Sequence, residues 1–249
     1  MTSDWRSATA ARIALTRTGP SLATTPMLHL RLAHALARDA VHTVLDEAAL
    51  AATLPTPALN AWSEAPDRAT YLMRPDLGRR LHPEAAAALA PHAATYDLVI
   101  TLGDGLSARA LQRHAGLLLA RLLPALKTWR LAPLVLVRNA RVATSDAIGK
   151  TLGAAAVLAL IGERPGLSAP DSLGAYLTWA PEPGTTTDAN RNCISNIRPE
   201  GLPYEDAAHR LHYLLDQMRE GQTSGVALKD ESSKAASLEA DPIRAIHNG

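Results

Sequence analysis

Four short apolar runs, separated by helix-length segments of different periodicity, constrain this chain most. They occupy residues 96–102 (closed by Gly103), 134–137, 155–161 and 173–179. Runs of this length without polar alternation read as strands buried on both faces. Between them, residues 107–127 form an amphipathic helix, with Leu111, Leu117, Leu118, Leu122 and Leu123 as its apolar stripe. Residues 145–152 form a shorter helix that Ser145 can cap. A helix over residues 83–89 precedes the first strand, and another over 204–221 follows the last. Such alternation specifies an open, mainly parallel α/β sheet. In such sheets ligands bind beyond the carboxyl ends of the strands. Here those ends are residues 103–105, 138–142 and 162–166.

The N-terminal third reads as helical. One helix is expected over residues 4–15 with Asp4 as N-cap, stopped by Gly19-Pro20. A second starts near Thr25-Pro26, with Leu28, Leu32, Leu36, Val41 and Leu45 as its apolar positions. His29, His34 and His42 lie on or near it, but no two stand three or four residues apart, so a shared metal is not expected. A polar connector spans residues 55–68, and a polar loop spans 180–203. The expected division is an N-terminal helical region (1–68), a sheet domain (69–228) and a flexible tail (229–249) without periodicity.

Composition excludes several classes. With 249 residues the chain can bury roughly 70–75% of its unfolded surface, so its core needs neither disulfide nor metal. A single cysteine cannot form an internal disulfide or a thiolate zinc site, and it fits a reducing compartment. A net charge of +1 argues against broad electrostatic binding to nucleic acid. There is no apolar segment at the N-terminus and no membrane-length apolar run, so a cytoplasmic protein is expected. The 21 arginines against 4 lysines fit either genome composition or arginine's use as a buried anion partner.

Three segments bear chemistry. Gly103-Asp104-Gly105-Leu106-Ser107-Ala108 fits the dinucleotide fingerprint after a strand and before a helix. It also fits a plain tight turn with Ser107 as N-cap. Asp104 sits where phosphates would lie, and Arg138-Asn139 offers no carboxylate to a ribose. Gly162-Glu163-Arg164-Pro165-Gly166 places a carboxylate at a strand end, either aimed at a ligand or held in a surface ion pair. Residues 188–197 contain Cys193, either an activated thiol or a small packing residue, with no histidine within fifteen positions. Serine-hydrolase elbow, Walker A, zinc-protease and D-x-H-x-x-G patterns are missing.

Taken in order, four motifs resemble the small subunit (light chain) of ethanolamine ammonia-lyase. They are Tyr71-Leu72-x-Arg74-Pro75-Asp76-Leu77-Gly78-Arg79-Arg80-Leu81, Gly103-Asp104-Gly105-Leu106-Ser107, Gly162-Glu163-Arg164-Pro165-Gly166-Leu167 and Asn192-Cys193-Ile194-Ser195-Asn196-Ile197. The resemblance runs from about Arg12 to Gly225. It implies a Rossmann-like fold and a two-chain enzyme that uses adenosylcobalamin to turn ethanolamine into acetaldehyde and ammonia. It also implies a TIM-barrel large subunit that holds the substrate and performs most of the radical chemistry. Cobalamin, bound with its own base on cobalt, would lie between the subunits and touch Val142, Glu163 and Cys193. Asp104, Gly105 and Asn196 are further candidates from loop position. No catalytic residue and no metal ligand are expected in this chain. The family's N-terminal extension for packaging into a bacterial microcompartment is not expected here, which leaves both a free cytosolic enzyme and a packaged one open. The alternative reading is an NAD(P)-binding oxidoreductase built on residues 103–108.

Overall fold

The computed structural model describes residues 17–232 together with Ile13 and Leu15. The helix expected over residues 4–15 lies outside the described residues, apart from those two. At Gly19-Pro20 the chain makes a hairpin rather than a helix stop. Strands β1 (Arg17–Thr18) and β2 (Ser21–Leu22) pair across it, and Gly19 takes φ +60°, a conformation that glycine adopts freely. Helices α1 (Thr24–His42) and α2 (Glu47–Ala51) follow. Ala23, not Thr25, is the N-cap of α1. Its expected apolar stripe is largely turned outward. Leu28, Leu32 and Leu36 are exposed, while Ala33 and Ala40 face inward.

The expected connector contains a strand, β3 (Ala58–Trp62). After α3 (Arg68–Met73) and α4 (Pro83–Leu89), the order is β4 (Tyr96–Gly103), α5 (Ala108–Leu122), β5 (Leu134–Arg138), α6 (Thr144–Leu152), β6 (Ala154–Gly162) and β7 (Leu173–Trp179). The expected polar loop contains a further strand, β8 (Arg191–Ile197), before α7 (Tyr204–Gly221). Six strands form one sheet in the order β3-β5-β4-β6-β7-β8. The first four are parallel, and β7 is antiparallel to both its neighbours, β6 and β8. The fold is therefore a mixed, mostly parallel α/β sheet flanked by helices.

Period-two alternation explains why the central strands look continuously apolar. Leu98, Ile100 and Leu102 of β4 join Leu158 and Leu160 of β6 under α5 and α7. Val99, Val135 and Val157 point the other way and pack with Leu89 of α4 and Ile148 of α6. Both faces are covered, so both sets are apolar except where a polar group finds a partner, as Thr101 does. Two helical readings need correction. Leu117 is 47% exposed and lies outside the buried stripe of α5. Ser145 does not cap α6; it bonds to Thr101 at 2.7 Å through the sheet face, and Ala143 occupies the N-cap.

Candidate functional site

The loops leaving β4, β5 and β6 enclose a cleft of about 450 Å³ at the carboxyl ends of the strands. The helix α5 lies on one face of the sheet and α6 on the other, and a change of face between neighbouring strands is where strand-end clefts form. The walls come from Gly105 and Leu106, Arg141 and Val142, and Gly162 and Glu163, with Tyr71 and Tyr176 between them. A second cleft of about 480 Å³ shares Arg141, Val142 and Tyr176 with the first.

The loop after β4 is a locked turn. Gly105 takes φ +52°, and a Cβ there would fall 2.2 Å from the Gly162 carbonyl oxygen. Leu106 N–H donates to Gly162 O at 2.9 Å, Ser107 N–H donates to Asp104 O at 3.0 Å, and Ser107 Oγ accepts from Ala110 N–H at 3.2 Å. Three N–H groups of the turn, those of Leu106, Ser107 and Ala110, are thus engaged within the chain, and Ser107 is the N-cap of α5, as in the tight-turn reading. Asp104 turns inward. It accepts from Ala140 N–H at 3.0 Å and pairs with Arg68 at 3.3 Å, and Arg68 also donates to the carbonyls of Gly105 and Val41. Burial pushes the Asp104 carboxyl up from its ordinary value, against the opposing pull of Arg68 and the backbone N–H groups. This carboxylate fastens the loop and does not line the cleft.

Glu163 does line it. Its Oε2 accepts from Ser172 Oγ at 2.6 Å and from Asn196 N–H at 3.0 Å. Its Oε1 makes no hydrogen bond among the described residues. Gly174 gives this side chain room, because a Cβ there would lie 3.1 Å from both Glu163 Cγ and Oε1. Val142, half-buried, stands across the cleft on the loop after β5. Asn196 reaches the site through its backbone bond to Glu163 and takes φ +59°.

Cys193 lies on β8, not on a loop. It is exposed, with Sγ 3.3 Å from Ser195 Oγ. It lines neither cleft, but its register partner across the β7–β8 pair is Tyr176, which lines both. Burial, then Cys193 and Glu163 nearby, push the Tyr176 hydroxyl up from its ordinary value. Arg191, two residues before Cys193, fixes β8 to α6. Its guanidinium forks onto both Asp146 carboxylate oxygens at 2.8 and 2.6 Å and reaches Thr178 Oγ1 at 2.9 Å. Both partners of this pair are buried.

The structure therefore brings Val142 and Glu163 together and places Cys193 beside them. The sequence reading passed over Tyr71, Tyr176 and Arg141 as site residues. Tyr71 and Arg141 stood within recognised segments but carried no pattern of their own. Tyr176 lies inside an apolar strand and is separable only by alternation, because Ala175 and Leu177 face the core. Neither cleft is lined by a histidine, so no thiol–imidazole pair is set up there. The arrangement can bind and orient a ligand; it holds no nucleophile with its base.

The sequence matches a family model described as ethanolamine ammonia-lyase light chain over residues 1–229. It is 52% identical over 238 residues to the ethanolamine ammonia-lyase small subunit of Xanthomonas campestris, covering 92% of this chain and 87% of that one. It is 54% identical over 239 residues to the protein of the same name from Azotobacter vinelandii, covering 92% and 88%. With that of Pseudomonas syringae it shares 51% over 245 residues, covering 95% and 85%. A match over nearly the whole chain, with the matched motifs assembled at one end of the sheet, shows that this chain belongs to the ethanolamine ammonia-lyase light-chain family.

Proposed function

We propose that this chain is the corrinoid-contacting half of a two-chain adenosylcobalamin enzyme that converts ethanolamine into acetaldehyde and ammonia. The relatives' name, small subunit, implies a larger partner. In this reading the partner is a TIM barrel that holds the substrate, and the cofactor lies between the chains. When bound, adenosylcobalamin supplies radical chemistry through homolysis of its cobalt–carbon bond.

The residues present fit such a cofactor. A corrin offers an apolar rim and several amide arms. Val142 packs on the rim, contributing about 1–2 kcal/mol if fully buried. Glu163 accepts an amide N–H on its open Oε1, a charge-assisted bond of about 1.5–3 kcal/mol. Oε2 stays on Ser172 and Asn196, so the carboxylate is oriented before the ligand arrives. Cys193 supplies a small polarizable contact at the margin, next to Tyr176. This chain contributes no acid, base or nucleophile; it holds the corrin still while chemistry proceeds on the partner's side. Among the described residues no helix is long and apolar enough to cross a membrane. The enzyme works in the cytoplasm, either free or inside a microcompartment.

The observation that supports this reading best is the meeting of Val142 and Glu163 in one strand-end cleft with an open carboxylate oxygen. The test is purification with and without the large subunit, adding adenosylcobalamin and ethanolamine. Ammonia should form only when both chains are present. Turnover by this chain alone would contradict the division of labour, and tight NAD(H) binding would reinstate the oxidoreductase reading.

A further inference from the structure

Arg141 lines both clefts, and its position is fixed by its surroundings. Its N–H donates to the Gly78 carbonyl at 2.7 Å, which also accepts from Thr144 Oγ1 at 2.6 Å. Its guanidinium carbon lies 4.6 Å from the centroid of the Tyr71 ring. Gly78 permits this packing, because a Cβ there would come within 2.7 Å of the ring and 3.2 Å of Arg141 Cγ.

Beyond this ring contact the guanidinium is without a polar partner among the described residues. Among the described residues it makes no ion pair and no hydrogen bond, and its Nε is buried without a partner. Arg68 and Arg191, the other arginines buried nearby, each sit on a carboxylate. A guanidinium is always charged and carries five donors in a planar fork that matches an oxyanion. The backbone beside it adds donors. Val142 and Ala143 lead into α6, whose N-cap residue offers no side-chain cap. Their N–H groups make no hydrogen bond among the described residues. The positive end of the helix dipole lies there as well.

We infer that Arg141, with the N–H groups of Val142 and Ala143, binds the phosphodiester in the nucleotide arm of cobalamin. The inference rests on the cofactor reading above and extends it from the corrin ring to the arm. Arg79 and Arg191 also line the second cleft, together with one carboxylate, Asp188.

The test compares three corrinoids in equilibrium titrations of the two-chain complex, followed by absorbance. Adenosylcobalamin carries the whole arm, adenosylcobinamide phosphate keeps the phosphate without ribose and base, and adenosylcobinamide lacks the phosphate too. Arg141→Ala should weaken the two phosphate-bearing ligands roughly 10- to 100-fold and leave adenosylcobinamide within about twofold. Arg141→Lys keeps the stem and the charge but not the fork, so the same pattern should appear with a smaller loss. It decides the matter if Arg141→Ala loses all three ligands. Equal effects of Arg141→Lys on all three, or no effect of Arg141→Ala, would overturn the inference. Wild-type complex that binds none of the three would overturn the cofactor reading with it. Wild-type complex that binds all three alike would overturn the phosphate contact alone.

Discussion

Gly162 shows how tightly single residues hold the strand-end turn. A Cβ at this position would lie 2.0 Å from the Ser107 carbonyl oxygen and 2.6 Å from that of Asp104. Both obstacles are backbone and neither can swing away. Gly162→Ala should therefore destabilise the chain by about 1–3 kcal/mol, read from the urea midpoint, and should disturb the cleft through the Gly105 turn. Asp146 is the second such residue. Removing it leaves the buried Arg191 guanidinium with Thr178 and a looser 3.9 Å contact to the exposed Asp188 carboxylate. Asp146→Ala should cost about 3–5 kcal/mol, while an exposed pair such as Lys150–Glu182 should yield less than about 1 kcal/mol to the same measurement. At this scale the turn-bounded strand end marked Glu163 as a candidate, whereas Val142 entered only through the family resemblance. Arg141 was not legible, because its meaning lies in what fails to pair with it, and pairing is a property of the fold.

At the scale of elements, His114 ties three together. Its ring on α5 bonds to Tyr204 Oη of α7 at 2.8 Å and to the Asp171 carbonyl, before β7, at 2.7 Å. A carbonyl can only accept, so Nε2 carries the proton and Nδ1 accepts from the tyrosine hydroxyl. The neutral ring satisfies both bonds. Burial lowers its pKa from the ordinary 6.5, so the unfolded chain takes up the proton first. The contribution to stability is complete above about pH 6.5 and is lost as the pH falls toward the lower folded value. Melting midpoints measured from about pH 7.5 to 5.5 should fall more for the wild type than for His114→Gln. Parallel slopes would show that another group carries the loss. The stripe of α5 and the apolar central strands were legible because burial on one or two faces dictates their composition, and α4 was legible from its run of alanines. The edge strands β3 and β8 were not. An edge strand faces solvent along one side and tolerates Asn60, Asn192 and Ser195, which read as loop. The outward leucines of α1 misled for the opposite reason, since periodicity reports an apolar face without saying what covers it.

For the molecule as a whole, the mostly parallel sheet and the opposed placement of α5 and α6 make one end of the sheet the binding end. Asp104, Gly162 and Asp146 act on its rigidity, and Glu163, Val142 and Arg141 line its cleft. Rigid placement of a large cofactor needs a broad interface with the partner, on the order of 2,000 Å² or more for an obligate complex. In the proposed function Glu163 belongs to the cofactor site and not to substrate binding. The most direct measurement is an adenosylcobalamin titration of the two-chain complex carrying Glu163→Ala, with the ethanolamine KM determined on the same preparation. The account predicts a loss of cofactor affinity of roughly tenfold or more, with KM changed by less than about twofold. An unchanged cofactor titration would contradict it.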